Sequence, residues 1–323
     1  MMHPIPPGTR DVLPDEMREL RAISERLRGS FEGAGYGEVW TPGLEYEEVL
    51  RTGDETAAGA GYRMFDEQGH VLALRSDMTI PIARVVATRY ASAPGPLRLC
   101  YFAHAYRAVA RGAGQEREFL QAGIELIGVA GAGGEAEVIA LVLEGLDAAG
   151  LARHRIGLGD GALYRSLLRS LAVPDERHRD ILGRLSTRDL VGLEMVVDQL
   201  GLARDARDLL VTIPELRGGP EVLERAHGPL VGDALDGLRT LYAALEERGV
   251  ADRVILDLGL LRMLGYYTGA IYEVYDPAVG FTLGGGGRYD DLIGRFGSPR
   301  PACGLALDVQ RVHLAQAAEE GLR

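Results

Sequence analysis

The chain has 323 residues, is 46% hydrophobic and carries a net charge of −12, so it can bury one large core or two modest ones. The acidic balance, with no basic run anywhere, argues against a nucleic-acid partner held by bulk electrostatics. Two cysteines far apart, Cys100 and Cys303, argue against a disulfide framework or structural zinc site, and no apolar run approaches the ~18 residues of a membrane span.

A cytoplasmic protein is expected, since the N-terminal MMHPIPPGTRDVLPDE also lacks an apolar signal region. Pro4 to Pro14 reads as extended. From Asp15, Met17, Leu20, Ile23, Leu27 and Phe31 recur at helical spacing until Gly33-Ala34-Gly35. Gly37 to Trp40 reads as a short strand ending at Thr41-Pro42, and Glu45 to Leu50 as a short helix. Tyr62–Phe65 and His70–Arg75 flank Asp66-Glu67-Gln68-Gly69 as a hairpin. Arg75-Ser76-Asp77-Met78-Thr79 then opens a helix through Ile82, Val85, Val86 and Tyr90. There Ser76 or Asp77 reads either as an ordinary N-cap or, with Thr79, as a ligand-facing group.

Leu97 to His104 is a strand feeding the stretch His104–Gly128, HAYRAVARGAGQEREFLQAGIELIG. This stretch reads as strand, Gly-rich basic turn (Arg111 to Gly114) and strand. Alternation puts Gln121, Gly123 and Glu125 on one side, while Phe119, Ala122, Ile124 and Leu126 read as packing. Polar groups on an otherwise apolar strand suit a pocket floor. An apolar helix, Glu135–Leu146, and a strand over Arg155–Asp160 follow. From Ala162 to about Arg248 short leucine-striped helices alternate with breaks such as Val173-Pro174 and Gly218-Gly219-Pro220, which predicts an all-helical insertion over 170–250. Strands return at Val254–Leu258, Tyr266–Val274 and Ala302–Leu307, and the helix Asp308–Glu320 closes the chain. The result is an α+β body interrupted by helices.

Three further stretches carry polar chemistry. Arg262 with Tyr266-Tyr267-Thr268 reads either as ordinary strand formers or as groups converging on a carboxylate-bearing ligand. Gly284-Gly285-Gly286-Gly287 lacks the Lys-Ser/Thr of a phosphate-binding loop and the βαβ setting of a dinucleotide site, so it reads as a tight turn and implies no cofactor. Arg311, one turn into the last helix, reads as a solvated side chain. His3, His70 and His104 are isolated, and no catalytic triad, carboxylate dyad or metal-ligand spacing stands out.

Taken in order, these stretches resemble the core of class II aminoacyl-tRNA synthetases, in particular the histidyl enzyme and its non-charging relatives. Pro7-Gly8-Thr9-Arg10-Asp11 resembles the family's opening PxGxxD, and Thr41-Pro42 to Glu45 resembles motif 1. Tyr106–Glu125 is similar to motif 2, Arg262–Thr268 to the RGLDYYT segment, and Gly286–Asp290 with Gly304–Arg311 to the GGRYD turn and motif 3. The resemblance covers nearly the whole chain. It implies an antiparallel six- to seven-stranded sheet flanked by helices, a core of 1–169 and 251–323 around the insertion, and motif 1 at a homodimer interface. It also implies a histidine-type pocket of Asp77, Thr79, Arg107, Gln121, Glu125, Arg262, Tyr266 and Tyr267.

Several positions depart from the charging enzyme. Val109 stands where a glutamate is expected to engage adenine, Ala110 and Gln115 replace basic residues, Met263 replaces a glycine and Gly265 an acidic residue. Asp308 replaces a glycine and adds a negative charge where a triphosphate would lie. The chain stops about one helix after Arg311, so no C-terminal anticodon-binding domain is expected. Arg75–Thr79 and Arg117–Gly123 are more similar to ATP phosphoribosyltransferase regulatory subunits. That resemblance implies a non-catalytic protein without metal, with the short-form catalytic subunit as partner, histidine as effector, and a homodimer within a hetero-oligomer. The alternatives are a truncated histidyl-tRNA synthetase-like, histidine-activating enzyme and a stand-alone amino-acid sensor.

Overall fold

The computed structural model describes residues 5–54, 61–108, 116–226, 232–262 and 264–322. The basic turn 111–114 and the departures at Val109, Ala110, Gln115 and Met263 lie outside these residues, as does His3.

Helix α1 (Pro14–Gly33) begins with proline at its first position and buries the predicted stripe Leu20, Ile23, Leu27 and Phe31, with Met17 at the exposed margin. It packs beside α4 (Ala132–Ala148) on one face of a nine-stranded sheet. The sheet comprises β1 (Gly37–Glu38), β5 (Leu97–Tyr106), β6 (Glu118–Ile127), β12 (Ala302–Asp308), β11 (Thr282–Arg288), β10 (Ala270–Tyr275), β7 (Arg155–Asp160), β9 (Val254–Asp257) and β8 (Arg217–Gly218), in that order. Its centre, β5 to β7, is the expected six-stranded antiparallel run. It is extended by β1 parallel to β5, by β9 parallel to β7, and by β8 at the far edge.

Three sequence expectations need correcting. Gly284–Gly287 forms no turn: the run lies inside β11, between β10 and β12. A Cβ on Gly286 would sit 1.9 Å from the Gly304 carbonyl oxygen and one on Gly284 2.1 Å from that of Ala306, so glycine is required by close approach of neighbouring strands and not by a positive φ. Glu45 is not helical. It lies in β2 (Leu44–Tyr46), which joins β4 (Val71–Leu74) and β3 (Arg63–Phe65) in a separate three-stranded sheet, and α2 (Glu47–Gly53) starts only afterwards. Tyr266 and Tyr267 precede β10 instead of opening it, because the chain pairs with its neighbours only from Ala270.

The β3–β4 hairpin forms as predicted, with the Asp66 carboxylate accepting from the Gln68 and His70 amides. Between β7 and β9 run α5 (Leu163–Ser170), α6 (Asp175–Ser186), α7 (Leu190–Asp198), α8 (Arg204–Thr212), α9 (Glu221–Arg225) and α10 (Gly232–Glu247). This stretch is not wholly helical, since β8 belongs to the main sheet. Its leucines, among them Leu167, Leu193, Leu238 and Leu245, join the same continuous core as α1 and α4. No helix among the described residues is long and apolar enough to cross a membrane.

The opposite sheet face carries a second core beneath α3 (Thr79–Arg89), and it contains Tyr101, Tyr266, Tyr267 and Tyr289. Buried Arg75 fixes the approach to α3, donating to the carbonyls of Thr41 (2.6 Å), Pro42 (3.0 Å) and His104 (2.8 Å). Helix α11 (Val309–Gly321) ends the fold, capped by Asp308 accepting from the Arg311 amide.

Two glycine substitutions test the close-approach argument. Gly286→Ala is expected to lower stability by about 3 kcal/mol through overpacking against backbone. Gly183→Ala, in α6 with nothing within 4 Å of its Cβ position, is expected to raise it by about 0.5–1 kcal/mol. Urea denaturation measures both, and a Gly286→Ala variant as stable as the parent would refute the account.

Candidate functional site

Strand alternation and the sheet register build the site. Directly paired residues face the same side, so one row reads Tyr101, Gly123, Ala306, Gly285, Glu273 and Gly157. The next reads Leu99, Glu125, Gly304, Gly287 and Ile271. Each large polar side chain therefore has a glycine beside it. A Cβ on Gly304 would lie 1.7 Å from Glu125 Oε2, one on Gly287 2.7 Å from the Tyr267 ring, one on Gly285 1.7 Å from Arg262 Nη1, and one on Gly123 2.4 Å from the Tyr101 hydroxyl. The glycines lower the floor so that these four side chains lie flat across it.

Glu125 is the centre, with 1% of its surface exposed. Its Oε1 accepts from the Thr79 hydroxyl at 2.9 Å and from the Tyr101 hydroxyl at 3.5 Å, and its Oε2 accepts a short hydrogen bond from Tyr289. Burial pushes the carboxyl up to about 7 against the pull of the Tyr289 and Thr79 hydroxyls, and the neighbouring Asp77 charge adds to the rise. Asp77 is buried too, and loss of hydration likewise raises its carboxyl above the ordinary range. One of its oxygens accepts from the Ile80 amide at 3.2 Å, which makes it a cap of α3, and Arg107 attracts its charge. Gln121 accepts from the Met78 amide at 3.1 Å.

Arg107 follows β5 and stacks its guanidinium 4.6 Å over the Phe119 ring. Arg262 lies above Gly285, with Nη1 3.7 Å from Glu273 Oε1. Tyr266 and Tyr267 are both buried, their ring centroids 4.9 Å apart, and Tyr266 meets Tyr289 edge-on at 6.0 Å. Behind them, buried Arg288 is paired with Glu135 at 3.1 Å and Asp290 at 2.9 Å, and the Thr268 amide donates to the Arg288 carbonyl. All eight residues singled out from the sequence thus gather on this one face.

The sequence reading missed several members. Phe119 is a platform for Arg107 and shares the face of Gln121, as its odd-numbered place in the alternation required. Tyr101 and Tyr289 hold Glu125 from other elements, and only the pairing of Tyr101 with Gly123 across β5 and β6 signals the former. Arg311 is not simply solvated: it donates to the Thr282 carbonyl at 2.8 Å, pairs with Asp308 at 3.4 Å and lies 5.5 Å over the Phe281 ring. The Asp308 charge is accordingly compensated, and burial pushes its carboxyl up to about 6. At Gly265, where the resemblance expects an acid, a carboxylate arrives from another element: Asp54 accepts from the Gly265 amide at 3.2 Å.

Chemically, the face offers two buried carboxyls, two guanidiniums and four tyrosine hydroxyls over a flat floor. That set complements a small ligand bearing a carboxylate, an ammonium and a flat donor ring. Cys100 and Cys303 are free and buried in the sheet, and burial pushes the Cys100 thiol up to about 12, leaving it unreactive.

Comparison with known proteins agrees with this architecture. The family described as Histidyl-tRNA synthetase matches residues 8–312. An ATP phosphoribosyltransferase regulatory subunit of Desulforamulus reducens is 41% identical over 313 residues, 96% of this chain and 78% of that protein. Its counterpart from Moorella thermoacetica is 42% identical over 317 residues, 97% of this chain and 82% of that protein. A crystal structure of an ATP phosphoribosyltransferase regulatory subunit/histidyl-tRNA synthetase from Bacillus halodurans superposes with a TM-score of 0.90 at 33% identity, covering 98% of this chain and 84% of that one.

The raised Glu125 carboxyl predicts a pH signature. Its folded value, about 7, exceeds the ordinary 4.5, so the native state binds the extra proton between those values. The stability it contributes is complete below 4.5 and falls as pH rises towards 7. Relative to Glu125→Gln, which cannot ionise, the parent is expected to lose on the order of 3 kcal/mol between pH 4.5 and 8. Urea unfolding of both proteins across that range measures the difference, and parallel pH curves would contradict it.

Proposed function

The chain belongs to the ATP phosphoribosyltransferase regulatory subunits, histidyl-tRNA synthetase-like proteins, and from that premise we propose that it activates a short-form phosphoribosyltransferase catalytic subunit and lends the complex sensitivity to histidine. The observation that carries the histidine part is the buried Glu125 carboxyl, set among Thr79, Tyr101 and Tyr289 beside Asp77. A carboxyl that titrates near neutrality matches an imidazole, whose own proton is exchanged in the same range. Asp77 complements the ligand ammonium, and Arg107 and Arg262 its carboxylate. On this reading the face binds histidine and performs no reaction. Regulation then requires histidine to favour one state of the assembly, with a typical coupling of about 1–3 kcal/mol.

A homodimer is the second part of the proposal. Leu44, Tyr46 and Met64 are exposed and, by the register of β2, β4 and β3, share one face of the three-stranded sheet, and Trp40, just before β2, is 92% exposed. An apolar patch of this kind on one small sheet supports an interface between copies, near the segment that resembles motif 1.

Calorimetric titration is expected to give heat with histidine and little with ATP, and Glu125→Gln is expected to weaken histidine at least ~10-fold by removing a charge-assisted contact. Mixing with the short catalytic subunit is expected to raise its rate, and histidine to lower it again. No effect of this chain on that rate would sink the regulatory reading, while histidine-dependent exchange of pyrophosphate into ATP would favour a histidine-activating enzyme. For the dimer, sedimentation is expected to show Trp40→Glu and Tyr46→Asp shifting the chain towards monomer, and unchanged sedimentation in both would exclude this patch.

A further inference from the structure

Past the Glu125 pocket, on the same sheet face, lies a second cleft of ≈ 430 Å³. Its floor is Gly157 of β7 with Glu273 and Tyr275 of β10, and its far wall is built by Asp257, Arg217 and Arg188. Asp257 is 3% exposed and takes ion pairs from both arginines, a short one from Arg188 and one from Arg217 at 3.7 Å, while the Gly259 amide donates to its other oxygen at 3.1 Å.

Three features separate this cleft from an ordinary surface ion pair. Arg188 follows α6 with a φ of +53°, one of two non-glycine residues with a positive φ among those described. A left-handed position after a helix normally takes glycine, so an arginine there is strained and the ion pair of its side chain with Asp257 offsets that strain. Both guanidiniums are about half exposed, at 52% and 48% of the side chain, so donors beyond those engaged by Asp257 remain at the mouth. The Tyr275 hydroxyl is buried without a hydrogen-bond partner, although its ring lies 5.6 Å under the Arg217 guanidinium. A buried orphan hydroxyl calls for a partner that the chain itself does not supply. Glu273 is met from the pocket side by Arg262 at 3.7 Å, so each of the two carboxylates at this cleft already has a guanidinium beside it.

We propose that this cleft is a second ligand site, distinct from the Glu125 pocket, and that it takes a phosphorylated sugar. The phosphate lies on Arg188 and Arg217, where planar guanidiniums bind phosphate oxygens in pairs. The sugar hydroxyls meet Glu273 and the Tyr275 hydroxyl. Free sugar phosphates and nucleoside monophosphates share this chemistry.

Calorimetry on the full chain tests it with ribose 5-phosphate, ribose, inorganic phosphate and adenosine 5′-monophosphate. Ribose 5-phosphate is expected to bind, with ribose and inorganic phosphate each at least ~10-fold weaker. Arg217→Ala is expected to weaken binding ~10-fold or more. Tyr275→Phe removes an unpaired hydroxyl, so it is expected to leave the thermal midpoint of the free chain unchanged or higher while weakening the sugar phosphate several-fold, a combination a purely structural tyrosine would not give. Adenosine 5′-monophosphate binding that is lost with Arg217→Ala supports the site and identifies the nucleotide as the source. Absence of heat with every phosphate compound, or binding indifferent to both substitutions, overturns the proposal, and neither result bears on histidine or the catalytic partner.

Discussion

One desolvated carboxyl organises this molecule. Glu125 sits where water cannot reach it, and an ionised carboxylate there is tolerable only if hydroxyls replace its hydration shell. Those hydroxyls come from three separate places: Thr79 at the start of α3, Tyr101 on β5, and Tyr289 after β11. A single side chain therefore fixes the positions of three elements that are distant in sequence, and the site's geometry and the second core's packing are the same fact. Removing the carboxyl unties the hydroxyls, and removing the hydroxyls strands the carboxyl.

The pocket and the outer cleft share a boundary. Arg262 lies over Gly285 on the pocket side and approaches Glu273 on the cleft side. Burial raises the Glu273 carboxyl and Arg262 opposes that rise, so the pair is electrostatically soft. Whatever draws Glu273 outward weakens its hold on Arg262.

Local periodicity made the helices and the polar face of β6 legible in the sequence. The stripe from Leu20 to Phe31 and the alternation of Gln121, Gly123 and Glu125 are short-range patterns, which neighbouring residues settle by themselves. The errors share another origin. Gly284–Gly287 reads as a turn because glycine's commonest local use is conformational, whereas here it answers strands and side chains far away in the chain. Glu45 and Leu50 suggest a helix until β4 arrives to pair with Leu44–Tyr46. Tyr101 carries no local mark at all, since its role exists only once Gly123 lies opposite. Arg188 is equally silent, because nothing in the sequence announces a left-handed arginine aimed at a carboxylate 69 residues on. The resemblance to a known family supplied the pocket residues that periodicity alone left undecided.

The glycine floor has a thermodynamic side. In the unfolded chain, four consecutive glycines explore more backbone space than any other tetrapeptide, and ordering them in a strand costs about 0.5–1 kcal/mol apiece relative to alanine. The central strand of the sheet is thus intrinsically the one least inclined to be a strand, held in place by β10 and β12 on either side. Stability has been exchanged for reach. A protein built this way cannot be strengthened at its midline without filling the space that neighbouring backbone and the Arg262 and Tyr267 side chains occupy, so any gain in robustness has to come from the periphery.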